Sequence, residues 1–251
     1  MNAPAADPQG RQHSLSDWLT LHELDPATCR QVLDAIARHG MDAPAGYEIA
    51  GTAGQPLDLQ TAWLRVVEAM RDFLPAQHDI IDDTFANTAR ILVERPGTSR
   101  RAVTLDNGPA AYPTILYSYR GAPAEHLVMA HEFGHALQIR ASQGRSVPPI
   151  MREVCAFLGE GALLAHARDR HAAQYPGLAR AWWQDSRRYL GVQAERLEAA
   201  LAVPAAPYTY SWNYPLARYL AIRISGRCSR DWIWSVFSGQ TSMRQVLQDV
   251  T

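Results

Sequence analysis

A chain of 251 residues, 47% hydrophobic and 20% charged, can bury one large core or two small ones, and it has neither a fibrous nor a disordered composition. A formal net charge of −1 with dispersed arginines excludes the basic stripe of a nucleic-acid binder. No window approaches a membrane span, and the opening MNAPAADPQGRQHS lacks the apolar run of an export signal, so a cytoplasmic protein with neither nucleic-acid nor membrane partners is expected.

All 24 basic residues are arginine. A GC-rich genome suffices to explain this; delivery into a host cell, where lacking lysine prevents ubiquitin attachment, is the sharper alternative. Cys29, Cys155 and Cys228 lie far apart and form neither a CxxC pair nor a readable disulfide framework. Cys155 reads as a small buried core residue.

In chain order, residues 1–13 read as a disordered tail. Asp25 caps a helix with Pro26 at its first position and Gly40 at its end, and residues 41–56 read as a loop. Asp58 caps a second amphipathic helix, LQTAWLRVVEAMRDFL, ended by Pro75. After residue 89 the texture changes: RILVE (90–94), RAVTL (101–105) and PTILYSY (113–119) are short, β-prone and separated by turn residues. They predict three antiparallel strands. From Ala124 the pattern is helical, with helices predicted at 124–141, 150–171, 178–202, 212–226, 229–237 and 241–249. The expected fold is α+β and predominantly helical, a small antiparallel sheet (about 90–119) packed on a helical body after an N-terminal helical segment (14–88).

Within the helix EHLVMAHEFGHALQIR stands His131-Glu-Phe-Gly-His135. At about 100° per residue the two histidines lie about 40° apart, one turn from each other, so both imidazoles reach one metal ion. Glu132 is offset toward the same side and can address a water there as a base without ligating. Gly134 costs helix stability, about 1 kcal/mol against alanine, which implies tight packing against that turn. An open tetrahedral zinc site needs a third protein ligand. Glu153 and Glu160, seven apart in PIMREVCAFLGEGALL, share a face and sit among apolar residues where unpaired charge is costly. One can ligate and the other can hold a ligand's second ring nitrogen. Gly159 and Gly161 would let this helix approach its neighbour.

These stretches resemble the family of thimet oligopeptidase and oligoendopeptidase F, zinc peptidases of the gluzincin type. HEFGHALQ is a near variant of that family's HEFGHALH, and E153-V-C-A-F-L-G-E160 is similar to its Glu-Val-x-Ser-x-x-x-Glu, with Ala156 replacing the serine. The resemblance implies one Zn2+ ion held by His131, His135 and Glu153, with Glu160 behind them. The family's spacing from the second histidine would instead favour Glu160, and a shortened loop at 141–149 reconciles the two. PTILYSYRGAPAEHLVMAHE resembles the strand and connection leading into the zinc helix. By that likeness strand 113–119 is the edge on which a peptide substrate lies, with Tyr112, Thr114 and Leu116 as its contacts. PYTYSWNYPLARYLA resembles the tyrosine-rich segment, making Tyr210 the first choice for the phenol that hydrogen-bonds the oxyanion, then Tyr208, then Tyr214 at the substrate. FSGQTSMRQVLQDV resembles the closing segment.

The chain departs from that pattern by having no histidine in EAALAVPAA before the tyrosines, and most members are more than twice as long. Only about 90–250 resembles the catalytic part, so 89–251 is the expected zincin-like core. Residues 14–88 are too short for the other half, and the cleft should be more open. The implied activity is hydrolysis of short or unfolded peptides, with Glu132 as base. The alternatives are a dedicated zinc protease or amide hydrolase with one partner, such as a precursor peptide or a host protein, and a peptide-binding module that does not cut.

The remaining histidines are weaker candidates. His126 lies about 140° from His131 around the helix. His166 and His171 read as surface or partly buried residues, and His13, His22, His39 and His78 receive no role. Arg100, Arg101 and Arg120 flank the strands and could meet a substrate carboxylate, though solvated charges are the simpler reading.

Overall fold

The computed structural model describes residues 13–39, 56–93 and 102–250. The expected tail up to residue 12, nearly all of the expected loop at 41–56, and Arg100 and Arg101 lie outside the described residues.

Local chemistry places the first helices. In α1 (Leu15–Leu21), the Ser14 and Asp17 side chains each accept a hydrogen bond from the other's backbone N–H. Asp25 accepts from Thr28 N at 2.8 Å to start α2 (Pro26–His39), and Asp58 accepts from Thr61 N at 2.9 Å to start α3 (Leu59–Phe73). α4 (His78–Asn87) went unread because HDIIDDTFAN is too short and acidic for a clear apolar stripe. It is held from outside, by Arg71 on Asp82 at 2.6 Å and by Phe85 packed against Trp63 and Phe133.

Three strands follow: β1 (Ala89–Leu92), β2 (Val103–Leu105) and β3 (Thr114–Tyr117). Their order is β1-β3-β2, with β3 parallel to β1 and antiparallel to β2. The expected wholly antiparallel sheet is therefore corrected to a mixed one. β3 takes the centre because it alone buries a full face, Ile115 and Tyr117, while β1 is largely exposed and β2 only partly buried. Tyr117 is fixed there by the Trp63 indole, which donates to its hydroxyl at 3.0 Å.

The helical body comprises α5 (Pro123–Ser142), α6 (Pro149–Arg170), α7 (Tyr175–Arg187), α8 (Ala194–Leu201), α9 (Asn213–Arg227), α10 (Arg230–Phe237) and α11 (Met243–Val250). At the entry to α5, Glu125 accepts from the backbone N–H of Arg120 at 2.7 Å and Ala122 at 3.0 Å. The single helix expected over 178–202 is two helices joined by a π-helical turn, Arg188–Gln193. That turn shifts the helical register and brings Tyr189 against Phe157 and Tyr214.

α6 is the spine, packed on α5, α9 and α3. Its approach to α5 is set by glycine: a Cβ on Gly134 would stand 2.7 Å from Cys155 O, and one on Gly159 would stand 2.6 Å from Ala130 O. Gly161 faces no atom within 4 Å, so of the two glycines expected to permit close approach only Gly159 does so. One apolar cluster joins Trp18 and Val66 to Phe133, Leu163, Leu216 and Phe237, and Cys155 is fully buried within it. The N-terminal residues also brace the tyrosine-bearing segment. Leu15 N donates to Ala206 O, Tyr208 N donates to His13 O, and Trp18 Nε1 donates to Asn213 Oδ1 at 2.8 Å. Among the described residues, no helix is long and apolar enough to cross a membrane.

Candidate metal centre

Where Gly134 and Gly159 let α5 and α6 touch, His131, His135 and Glu153 converge. One ligand atom from each lies within 4.8 Å of the other two. His131 Nε2 is 3.3 Å from Glu153 Oε2, and His135 Nε2 is 3.6 Å from Glu153 Oε1. The imidazoles stand at 83° with centroids 4.9 Å apart, both ε-nitrogens turned toward the same carboxylate. Glu153 is 2% exposed, yet its Oε2 has no hydrogen-bond partner among the described residues. A buried carboxylate oxygen without a donor, facing two imidazoles, suits a cation. The donor set, two imidazoles and one carboxylate, is of the kind that holds zinc in an open site.

Glu160 stands behind this cluster. Its Oε1 is 2.8 Å from His131 Nδ1, and its Oε2 accepts from Arg218 Nη1 at 2.6 Å. With Nδ1 donating to Glu160, His131 turns its Nε2 lone pair toward Glu153. Arg218, from α9, is 1% exposed and donates also to Ser186 Oγ and Trp182 O, with its guanidinium 4.3 Å above the Trp182 ring. The Glu160 carboxyl is held below the usual range: burial opposes its charge, but Arg218 and His131 outweigh burial. Burial likewise opposes charge on His131, yet the carboxylates of Glu153 and Glu160 beside it lift its pKa well above the ordinary value. For His135 burial outweighs the nearby charge of Glu153 and pushes the pKa down to about 4.

Glu132 accepts from Thr104 Oγ1 at 2.7 Å through Oε2, and the same hydroxyl is 3.0 Å from the Glu132 carbonyl oxygen. Strand β2 thus fixes one carboxylate oxygen of Glu132, and burial raises its pKa. Tyr210 arrives from the short turn Tyr210–Trp212 ahead of α9, its hydroxyl donating to Glu153 Oε1 at 2.7 Å. Burial, with the negative charge of Glu153 second, raises the pKa of this phenol far above its ordinary value. Tyr214 packs edge-to-face at its side, centroids 5.7 Å apart. Tyr208 turns away: its hydroxyl accepts from Asn213 Nδ2 at 3.0 Å and its ring packs on Trp212.

The structure brings together His131, Glu132, His135, Glu153, Glu160, Tyr210 and Tyr214 of the sequence-predicted set. Strand β3 is different. It is the central strand, paired on both sides over 114–116, so it offers no free backbone edge to a peptide there. Thr114 and Leu116 are therefore not edge positions; Thr114 Oγ1 accepts from Asn107 instead. Tyr112 donates to Asp83 at 2.8 Å and lies under Arg140, beside a cleft of about 380 Å³ between α4 and the end of α5. Sequence reasoning missed Arg218 and Thr104. Arg218 had a weak signal, one arginine in the apolar run PLARYLAI; Thr104 had none. His126 is buried, with Nε2 3.0 Å from Ala62 O, and takes no part in the cluster.

No family model matches this chain, and no curated protein matches it in sequence. Its fold is similar to that of a protein from Chlamydophila abortus described provisionally as a peptidase, with a TM-score of 0.53 and 12% identity. The match covers 96% of this chain and 44% of that protein, so the chain spans less than half its length. At that identity the likeness is one of fold.

Proposed function

We propose that this chain is a zinc-dependent peptidase acting on short or unfolded peptides, akin to the thimet oligopeptidase and oligoendopeptidase F family. The observation that carries the reading is the convergence of His131, His135 and Glu153 on one point, with Glu132 and Tyr210 at its rim. The family-like motifs agree with it, as does the fold shared with a protein described as a peptidase.

His131, His135 and Glu153 would hold the ion, and Glu160 with Arg218 behind it fixes the tautomer and direction of His131. Zinc, when bound there, supplies Lewis acidity to a water and to the scissile carbonyl. Glu132, anchored through one oxygen by Thr104, takes the proton of the attacking water on its other oxygen and returns it to the departing amine. The Tyr210 phenol, which here donates to Glu153, redirects its proton to the oxyanion that develops on the substrate. The substrate backbone pairs with β2, the edge strand that carries Thr104, rather than with β3. This arrangement requires an extended chain, which selects short or unfolded peptides over folded proteins.

Glu132→Gln tests the reading. With a peptide mixture digested by the zinc-loaded protein and read by mass spectrometry, we expect zinc content to persist and turnover to fall by about 10²–10⁴-fold. Undiminished turnover would remove Glu132 from the chemistry, and absence of cleavage by the unaltered protein would remove the activity.

A further inference from the structure

The opposite end of α6 carries a second cluster of ligand-type side chains. His166 lies in the last turns of α6, His171 follows its final residue, and Glu68 faces both from α3. One ligand atom from each lies within 4.8 Å of the other two. His166 is 5% exposed, with Nδ1 2.8 Å from Asp72 Oδ2. Asp72 thereby takes the Nδ1 proton's hydrogen bond and leaves the Nε2 lone pair directed outward, as carboxylates do behind metal-binding histidines. That Nε2 is buried and, among the described residues, has no hydrogen-bond partner; Glu68 Oε2 stands 3.7 Å away, too far for a hydrogen bond. His171 Nε2 is likewise buried and without a hydrogen-bond partner, and the two rings lie 5.0 Å apart. Buried imidazole nitrogens without partners are uncommon, and two of them beside one carboxylate are an arrangement that a cation satisfies.

The surrounding charge is mixed. Glu68 and Asp72 are acidic groups at this point, Asp169 lies close enough to interact with His166, and the carbonyl end of α6 adds partial negative charge. Arg170 is engaged by Asp72 at 3.0 Å, while Arg65 on α3 opposes a cation. The ligand chemistry nevertheless discriminates. Two imidazoles with one carboxylate suit a first-row transition ion of the zinc, nickel or copper kind, and not calcium or magnesium, which take oxygen ligands.

We propose that Glu68, His166 and His171 form a second, structural site for such a divalent ion, which ties α3 to the end of α6. The site is separate from the centre formed by His131, His135 and Glu153 and does not depend on the peptidase reading. The test is zinc stoichiometry of the chelator-stripped full chain, by calorimetric titration and elemental analysis. Glu68→Gln combined with His171→Asn changes side chains at or near the surface and spares buried His166. This variant should bind one equivalent fewer than the unaltered protein while keeping its unfolding midpoint in chelator. In His131→Ala/His135→Ala, the remaining equivalent should raise the thermal midpoint and vanish when Glu68→Gln and His171→Asn are added. Equal zinc stoichiometry in the unaltered protein and the Glu68→Gln/His171→Asn variant overturns the proposal. If the unaltered protein binds a single equivalent that this variant loses, the second site stands and the peptidase centre fails.

Discussion

At one end of α6, Glu153 meets His131 and His135, and Glu160 with Arg218 braces them from behind. At the other end, His166 and His171 meet Glu68, and Asp72 with Arg170 braces His166. The composition is the same in both: two imidazoles, a facing carboxylate, a carboxylate on one Nδ1, and an arginine on that carboxylate. The surroundings are opposite. The side chains of Glu160 and Arg218 are 7% and 1% exposed, whereas those of Asp72 and Arg170 are 45% and 63% exposed. In the dry cluster each charge is fixed by its partner, because an unpaired one is prohibitive there. In the wet cluster solvent screens the outer pair and leaves it freer to move. On the readings proposed above, the same residue types serve as a pre-organised chemical centre at one end and as a clamp at the other.

Four substitutions break or sharpen this contrast. Arg218→Gln leaves the Glu160 carboxylate buried without its guanidinium, and should lower stability by about 3–5 kcal/mol in urea unfolding. A loss below about 1 kcal/mol would mean that water reaches Glu160 and that the two clusters do not differ in kind. Gly134→Ala acts on the helix contact instead. Its Cβ would meet Cys155 O at 2.7 Å and the Ala156 Cα at 2.8 Å, backbone that no rotamer change relieves. We expect a cost of about 1–3 kcal/mol, and weaker zinc binding at His131, His135 and Glu153, with the far end of α6 unaffected. Gly161→Ala, which faces open space in the same helix, is the control and should gain up to about 1 kcal/mol. The smallest effect belongs to Arg170→Gln at the exposed pair: below about 1 kcal/mol and diminishing with added salt, by the same urea measurement.

Much of the dry cluster was legible because its information is local. Histidines four apart on a helix must share a side, and Glu153 and Glu160 seven apart in an apolar helix must share a face. The caps at Asp25 and Asp58 were legible for the same reason. The wet cluster was not: His166 and His171 are five apart across a helix end, and their partner Glu68 lies nearly a hundred residues earlier. Arg218 and Thr104 acquire meaning only from what α9 and β2 are folded against.

By itself, the sequence determined the helical character of the chain, the spacing of His131, Glu132 and His135, and the glycine that lets α6 approach. It did so because helical periodicity and steric size are properties of neighbouring residues. Tertiary structure alone decided that β3 is central and parallel to β1, that β2 is the edge holding Glu132, and that the Tyr210 hydroxyl donates to Glu153. Strand order and cross-helix pairing depend on which surfaces bury one another, and that choice is made by the whole core rather than by any one segment.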